Sequence, residues 1–226
     1  MLLVLKERER LVLFADRVDA GKRLVSALRD VVDKDAIVLA IPRGGVVVGC
    51  EVAKALGLPL DVIIPRKIGA PGQPELAIGA VTEDGTVLLD EGLVERLRVS
   101  DYYIREESET QKLEIQRRLK LYRGDVPYPS LANRDVILVD DGIATGSTMK
   151  AALASVRKRG GKTVVVAIPV GPPSTITELK QKADRVVCLH TPESFYAIGQ
   201  FYRDFTQTSD EEVTRLLKLI REQRGN

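Results

Sequence analysis

Apolar residues fall along this chain in two patterns that take turns. Short unbroken runs at residues 36–41, 60–65, 136–139, 162–169 and 185–189 are what strands covered on both faces require. Between and after them lie longer stretches whose apolar positions recur at helical spacing, as at 46–56, 149–159, 174–182 and 209–220. This alternation predicts an α/β fold, a doubly wound and mainly parallel sheet flanked by helices, with right-handed crossovers. Asp19 is expected to cap a helix with Leu24, Leu28 and Val31 on one side, after the apolar piece LVLFA. Two short apolar runs around the tripeptide EDG, at 77–82 and 86–89, predict a hairpin. Residues 91–98 predict a short helix. Residues 101–123, capped by Ser100, predict a long charged one with Ile104, Leu113 and Leu119 inward and a solvated face without chemistry. Ser209 and Glu212 form a capping box before a last helix whose Val213, Leu216, Leu217 and Ile220 share one side.

With 226 residues, 44% of them hydrophobic, the chain can bury one full core and a small appendage. The expected division is a core over residues 1–190, with a flexible loop at about 66–80, and a hood segment plus terminal helix over 191–226. No run approaches a membrane span, and the opening MLLVLKERER turns to charge after its apolar start, so no signal peptide and a cytoplasmic location are expected. Cys50 and Cys188 read as core thiols. Thirty-four basic and 32 acidic residues without a single-sign block argue against a nucleic-acid partner. The one histidine, His190, ends an apolar run, and no GxSxG elbow accompanies it, so it reads as structural or pocket-lining.

The richest chemistry lies in VILVDDGIATGST, residues 136–148. A buried strand leads to two carboxylates, and a Thr-Gly-Ser-Thr turn opens directly into a helix. The first amides of such a helix have no intrahelical partner and its dipole favours an anion; Gly146 admits a close ligand oxygen, while Thr145, Ser147 and Thr148 add hydroxyl donors. A phosphate monoester fits that cradle. Asp140 and Asp141 would repel it unless they accept from sugar hydroxyls or reach a hydrated Mg2+ through its waters. A phosphorylated sugar satisfies both demands.

Other segments point to the same end of the sheet. The turn PRGG places Arg43 beside Gly44 and Gly45, which suits a pyrophosphate. A dinucleotide fingerprint would need GxGxxG where RGGVVVG stands, and Gly21-Lys22 lacks the rest of a P-loop. Arg66 and Lys67 end a strand and precede a proline- and glycine-rich stretch carrying Glu75. Five of the ten aromatic residues cluster as Phe195, Tyr196, Phe201, Tyr202 and Phe205, either as a surface for a planar base or as a small core of their own.

VILVDDGIATGST resembles the 5-phosphoribosyl-1-pyrophosphate (PRPP) motif of type I phosphoribosyltransferases. Segments IPRGG and RKIGAP are similar to those of uncharacterised stand-alone members. The resemblance spans residues 36–205. It implies the family fold with a small hood, Mg2+ as cofactor, and transfer of the 5-phosphoribosyl group from PRPP to a nitrogenous acceptor, most simply a nucleobase, with release of pyrophosphate. Catalysis would fall to Arg43, Lys67, Asp140 and Asp141. PRPP would be held by Arg43, Gly44, Gly45, Arg66, Lys67, Asp140, Asp141, Ala144, Thr145, Gly146, Ser147 and Thr148, with the two aspartates reaching the metal through water. Ala144 stands where many members carry an acid, which leaves the general base open between Glu75, water and backbone. By likeness to the hypoxanthine-guanine branch, Phe195 or Tyr196 would cover the acceptor, Arg203 would contact pyrophosphate, and Asp204 would support Arg203 or the metal. The expected partners are thus PRPP and a small nitrogenous acceptor, with a homo-oligomer, most simply a dimer, as assembly. The alternative is a non-catalytic PRPP-sensing regulator on the same fold.

Overall fold

The structure, a computed structural model, describes residues 13–29, 33, 35–223 and 225. Its first helix, α1 (Arg17–Leu28), is capped by Asp16, whose carboxylate accepts from the Asp19 amide at 2.8 Å. Asp19 itself accepts from Ala15 N at 2.9 Å, so the cap lies three residues earlier than the pattern predicts. Leu24 and Leu28 are buried as expected, while Val31 and the charged opening stretch lie outside the described residues.

β1 (Ile37–Ala40), α2 (Gly44–Leu56) and β2 (Leu60–Val62) follow, and later β6 (Val136–Val139), α5 (Ser147–Lys158), β7 (Val164–Val170), α6 (Pro173–Lys180) and β8 (Arg185–His190). These five strands form one parallel sheet in the order β2-β1-β6-β7-β8. The unbroken runs of β1, β2, β6 and β7 are explained by its two covered faces, whereas the edge strand β8 is only partly buried. Val38, Ala40, Ile137 and Val139 pack with α1 and α2 on one side, whereas Ile37, Leu39, Val136 and Leu138 pack with α5 and α6 on the other. The expected doubly wound sheet is present.

Between β2 and β6 the chain leaves this sheet. β3 (Arg66–Ala70), β4 (Gln73–Val81) and β5 (Val87–Leu89) make a separate antiparallel sheet in sequence order, with Val81 opposite Val87 across the predicted EDG turn. The stretch expected as a flexible loop at about 66–80 is therefore paired strand, Arg66 lying opposite Val81. Its prolines are compatible with this because Pro71 lies in the turn between β3 and β4, where Gly72 takes a positive φ of 71°, and Pro74 lies at the exposed start of β4, opposite an irregularity in the pairing.

α3 (Glu91–Leu97) and α4 (Asp101–Arg123) occupy their predicted places, α4 capped by Ser100 through the Tyr103 amide at 3.2 Å. The inward side of α4 differs from expectation. Ile104, Ser108, Ile115 and Tyr122 are buried and Leu119 is partly so, but Leu113 is 68% exposed. Burial follows the four- and seven-residue spacing 104, 108, 115, 122, which puts Leu113 on the far side. Last come a 3-10 turn at Ile198–Phe201 and α7 (Asp210–Gln223), whose Val213, Leu216, Leu217 and Ile220 are buried. Ser209 Oγ accepts from the Glu212 amide at 3.2 Å, as the capping pattern predicts. No described helix is long and apolar enough to cross a membrane.

Candidate active site

β1 and β6 are neighbours, with Ala40 opposite Val139, so the turns that leave their carboxyl ends lie against each other. In parallel α/β sheets this end, where adjacent crossovers diverge, forms the ligand crevice. The turn after β1 carries Arg43, Gly44 and Gly45, and its Pro42–Arg43 peptide is cis. The turn after β6 carries Asp140 and Asp141. They meet so closely that a β-carbon at Gly44 would sit 1.9 Å from Asp141 Oδ2, and one at Gly45 would sit 2.9 Å from Asp140 Cα. Only glycines allow this approach.

The two carboxylates are held differently. Asp140 Oδ1 accepts from the Asp141 amide at 2.8 Å, and burial together with the Asp141 charge pushes the Asp140 carboxyl well above the ordinary carboxylate range. Asp141 receives Arg17 Nε on Oδ2 at 2.7 Å, and its backbone carbonyl accepts from Tyr202 Oη at 2.6 Å. Beyond them Gly142 runs beneath Ile198, where a β-carbon would meet Ile198 Cγ2 at 2.5 Å.

The phosphate-type loop closes with Gly146 in the left-handed region, φ 73°, directly before α5. Among the described residues no side chain caps that helix, so its leading amides are available to an anion. Thr145 Oγ1 and Ser147 Oγ lie 3.0 Å apart at the mouth, and Thr175 Oγ1 fixes the loop from α6 by donating to the Ala144 carbonyl at 2.7 Å.

A cleft of about 740 Å³ opens beside these turns. Among the expected residues, Arg43, Gly44, Arg66, Lys67, Asp140, Asp141 and Thr148 line it, as does Glu75. Gly45 supports the aspartates from beneath, and Ala144 through Ser147 form the adjoining loop. Arg66 is braced by α4: its Nε donates to Gln111 Oε1 at 2.8 Å, and Gln111 Nε2 donates to Glu107 Oε1 at 2.7 Å. Burial first, and the Arg118 charge second, lower the pKa of Arg66. Tyr103 Oη donates to the Gly69 carbonyl at 3.0 Å, tying α4 to β3. The helix expected to carry a merely solvated face thus forms one wall of the cleft, through Tyr103, Glu107, Gln111 and Arg118. Nothing in its charge pattern separates these from solvent-facing residues, because the hairpin that α4 packs against is distant in sequence.

The aromatic segment divides. Phe195 packs against Phe201 with ring centroids 5.2 Å apart, and Tyr196 is 81% exposed; neither lines the cleft. Arg203 and Asp204 do not line it either. Their amides donate to the Phe14 and Ala15 carbonyls, both at 2.9 Å, and the Asp204 carboxylate accepts from Thr206. Phe14, Phe201 and Tyr202 form a small buried core with Phe195 and Phe205 against it. The residues that do reach the cleft from this segment are Ile198 and Phe205. Phe14 joins the cluster from before α1, and that long-range partner is what the local pattern does not reveal. His190 is part of the same packing, its ring edge-on to Phe14 at 5.7 Å. Arg17, which no motif singles out, lines the cleft as well.

The phosphoribosyl transferase domain model matches residues 14–206 of this chain. Two proteins of Mycobacterium tuberculosis, from strains CDC 1551 / Oshkosh and ATCC 25618 / H37Rv and provisionally named phosphoribosyl transferases, are each 46% identical over 205 residues, 91% of this chain and 46% of theirs. The chain thus spans about half the length of the curated relatives it matches. The crystal structure of TT1426 from Thermus thermophilus superimposes with a TM-score of 0.78 at 43% identity, covering 91% of this chain and 98% of that one. With the model matched from just before α1 past the Asp140-Asp141 turn through the aromatic segment, the chain belongs to the phosphoribosyl transferase domain family.

Proposed function

We propose that this chain transfers the 5-phosphoribosyl group of PRPP to a nitrogenous acceptor, most simply a nucleobase, and releases pyrophosphate. The observation that carries this is the packing of Gly44 and Gly45 onto Asp140 and Asp141 beside an uncapped helix mouth. That arrangement offers, side by side, donors for a terminal phosphate, acceptors for a sugar diol and cations for a pyrophosphate.

The α5 amides with Thr145, Ser147 and Thr148 would take the 5-phosphate. Asp140 and Asp141 would accept from the ribose hydroxyls and favour positive charge on the ring. Arg43, Lys67 and Arg66 would neutralise the leaving group. In the reaction the acceptor nitrogen bonds to C1 as the C1–oxygen bond breaks, pyrophosphate departs with the electron pair, and the acceptor gives up a proton. Positioning and electrostatics are what such a step needs from a protein. Glu75 lines the cleft and is available to take the proton.

The donor set suits Mg2+ of a particular kind. Among the described residues no group of three or more acidic, histidine or cysteine side chains could enclose a metal ion. Two adjacent carboxylates beside a phosphate site fit an ion that keeps most of its waters and takes other oxygens from the substrate. Asp140 and Asp141 would hold it through water, and its charge would offset that of pyrophosphate. Ile198 and Phe205, the apolar members of the aromatic segment in the cleft, would face the acceptor.

Calorimetry with PRPP and Mg2+ tests the central assignment. The unaltered chain should bind PRPP, and the combined change Asp140→Asn, Asp141→Asn should weaken binding at least tenfold; equal affinity would overturn the assignment. Pyrophosphate release across a panel of nucleobases and amines then separates transferase from sensor, since a sensor binds PRPP without releasing pyrophosphate.

A further inference from the structure

Arg17 lies outside every motif that carries the site, yet it touches three of its parts. Its Nε donates to Asp141 Oδ2 at 2.7 Å, its Nη1 donates to the Thr206 carbonyl at 2.8 Å, and its guanidinium carbon lies 3.9 Å from the centre of the Phe205 ring. A β-carbon on Gly44 would stand 2.5 Å from the same Nε, so the guanidinium also borders the turn that carries Arg43. The paired side chains are largely buried, 11% exposed for Arg17 and 12% for Asp141.

We propose that Arg17 is a positioning residue that holds Asp141 in the orientation a ribose diol requires and fastens that carboxylate to the segment at residues 205–206. This rests on the function proposed above. Two adjacent carboxylates repel, and a free Asp141 would rotate away from Asp140. A guanidinium on Oδ2 opposes that rotation and leaves Asp141 Oδ1 and the Asp140 carboxylate to accept from the ligand.

The chemistry asks for arginine. One planar group must donate from Nε to a carboxylate, donate from a terminal nitrogen to a carbonyl in another direction, and lie over an aromatic face. Lysine supplies the charge from a single nitrogen and cannot do all three. The pairing also joins elements far apart in sequence: α1 contributes Arg17, the turn after β6 contributes Asp141, and residues 205–206 contribute the ring and the carbonyl. Phe205 gives one face to Arg17 and packs against Tyr202 with ring centroids 5.0 Å apart, and what remains of its surface lines the cleft together with Ile198.

The experiment compares two probes by calorimetry in the presence of Mg2+. Ribose 5-phosphate presents both a phosphate and the diol; inorganic phosphate presents no diol for Asp141 to accept from. Arg17→Met should weaken ribose 5-phosphate by about 30-fold or more, the scale expected when one partner of a desolvated charge pair is truncated. Phosphate should bind as before. Arg17→Lys should recover part of the loss. If Arg17→Met binds both probes like the unaltered chain, or weakens both equally, Arg17 has no positioning role. If Arg17→Met does not fold, Arg17→Lys must still show the same selective loss at smaller size, and equal binding of ribose 5-phosphate by it overturns the proposal. Failure of the unaltered chain to bind ribose 5-phosphate would instead remove the proposed function and this role with it.

Discussion

Gly44 and Asp141 lie so close that a single added β-carbon on the glycine would come within 1.9 Å of Asp141 Oδ2. The obstructing atom belongs to a side chain that is already engaged by Arg17, so it cannot simply swing aside. Gly44→Ala should therefore displace the aspartate or the turn and cost about 1–3 kcal/mol of stability, as overpacking commonly does. Thermal unfolding measures that cost. PRPP affinity by calorimetry should fall in parallel, and an alanine variant with unchanged affinity would show that the turn and the carboxylate do not act as one unit.

Lys67 lines the cleft at the start of β3 as an exposed cation. A charge that acts on the departing pyrophosphate contributes most when that charge develops. Lys67→Ala should reduce single-turnover pyrophosphate release from PRPP by about tenfold or more while changing PRPP affinity less. Loss of affinity with an unchanged rate would assign Lys67 to ground-state binding.

Asp84 sits in the turn between β4 and β5. Burial alone would raise its pKa, but hydrogen bonds from Thr82 Oγ1 at 2.6 Å and Thr86 Oγ1 at 2.8 Å outweigh it and hold the carboxyl at about 2. A depressed folded-state pKa contributes stability above the ordinary value of about 3.9 and loses it as the pH falls towards the folded value. Between pH about 4 and about 2 the unaltered chain should lose more stability than Asp84→Asn, in urea unfolding followed across that window. Identical acid slopes would refute this origin.

Phe195 and Tyr196 should respond oppositely from what a base-stacking role requires. Phe195, half-buried on Phe201, should cost roughly 1–3 kcal/mol on change to alanine, below the ~3–5 of a fully buried phenylalanine. Tyr196→Ala should be neutral within about 0.5 kcal/mol, since its ring is exposed. Neither should alter acceptor affinity, whereas Phe205→Leu should. A selective acceptor defect in Phe195→Ala would restore the stacking assignment.

The strand-turn-helix at residues 136–148 was legible because all its candidate binding groups are local: the carboxylates, the turn hydroxyls and the helix amides lie within one short stretch. The hairpin around EDG and the caps at Ser100 and Ser209 were legible for the same reason. Residues 66–80 were not. Their prolines and glycines suggest a loop, and only pairing of β3 with β4 and packing beneath α4 turns them into a sheet. The aromatic segment was ambiguous because its composition suits either a ligand or a core, and it divides: Phe14, distant in sequence, draws Phe201 and Tyr202 into a small core while Phe205 reaches the cleft.

By itself, then, the sequence determined the runs that build the parallel sheet, the helices that flank it, and the loop and paired acids of the candidate site, each dictated by periodicity or by groups close along the backbone. Tertiary structure alone decided that Gly44 rests on Asp141, that Arg17 clasps the same carboxylate, that α4 walls the cleft, and that Phe205 rather than Phe195 reaches it. These are meetings of residues brought together by chain crossovers, and a local pattern carries no distance between positions that only folding makes neighbours.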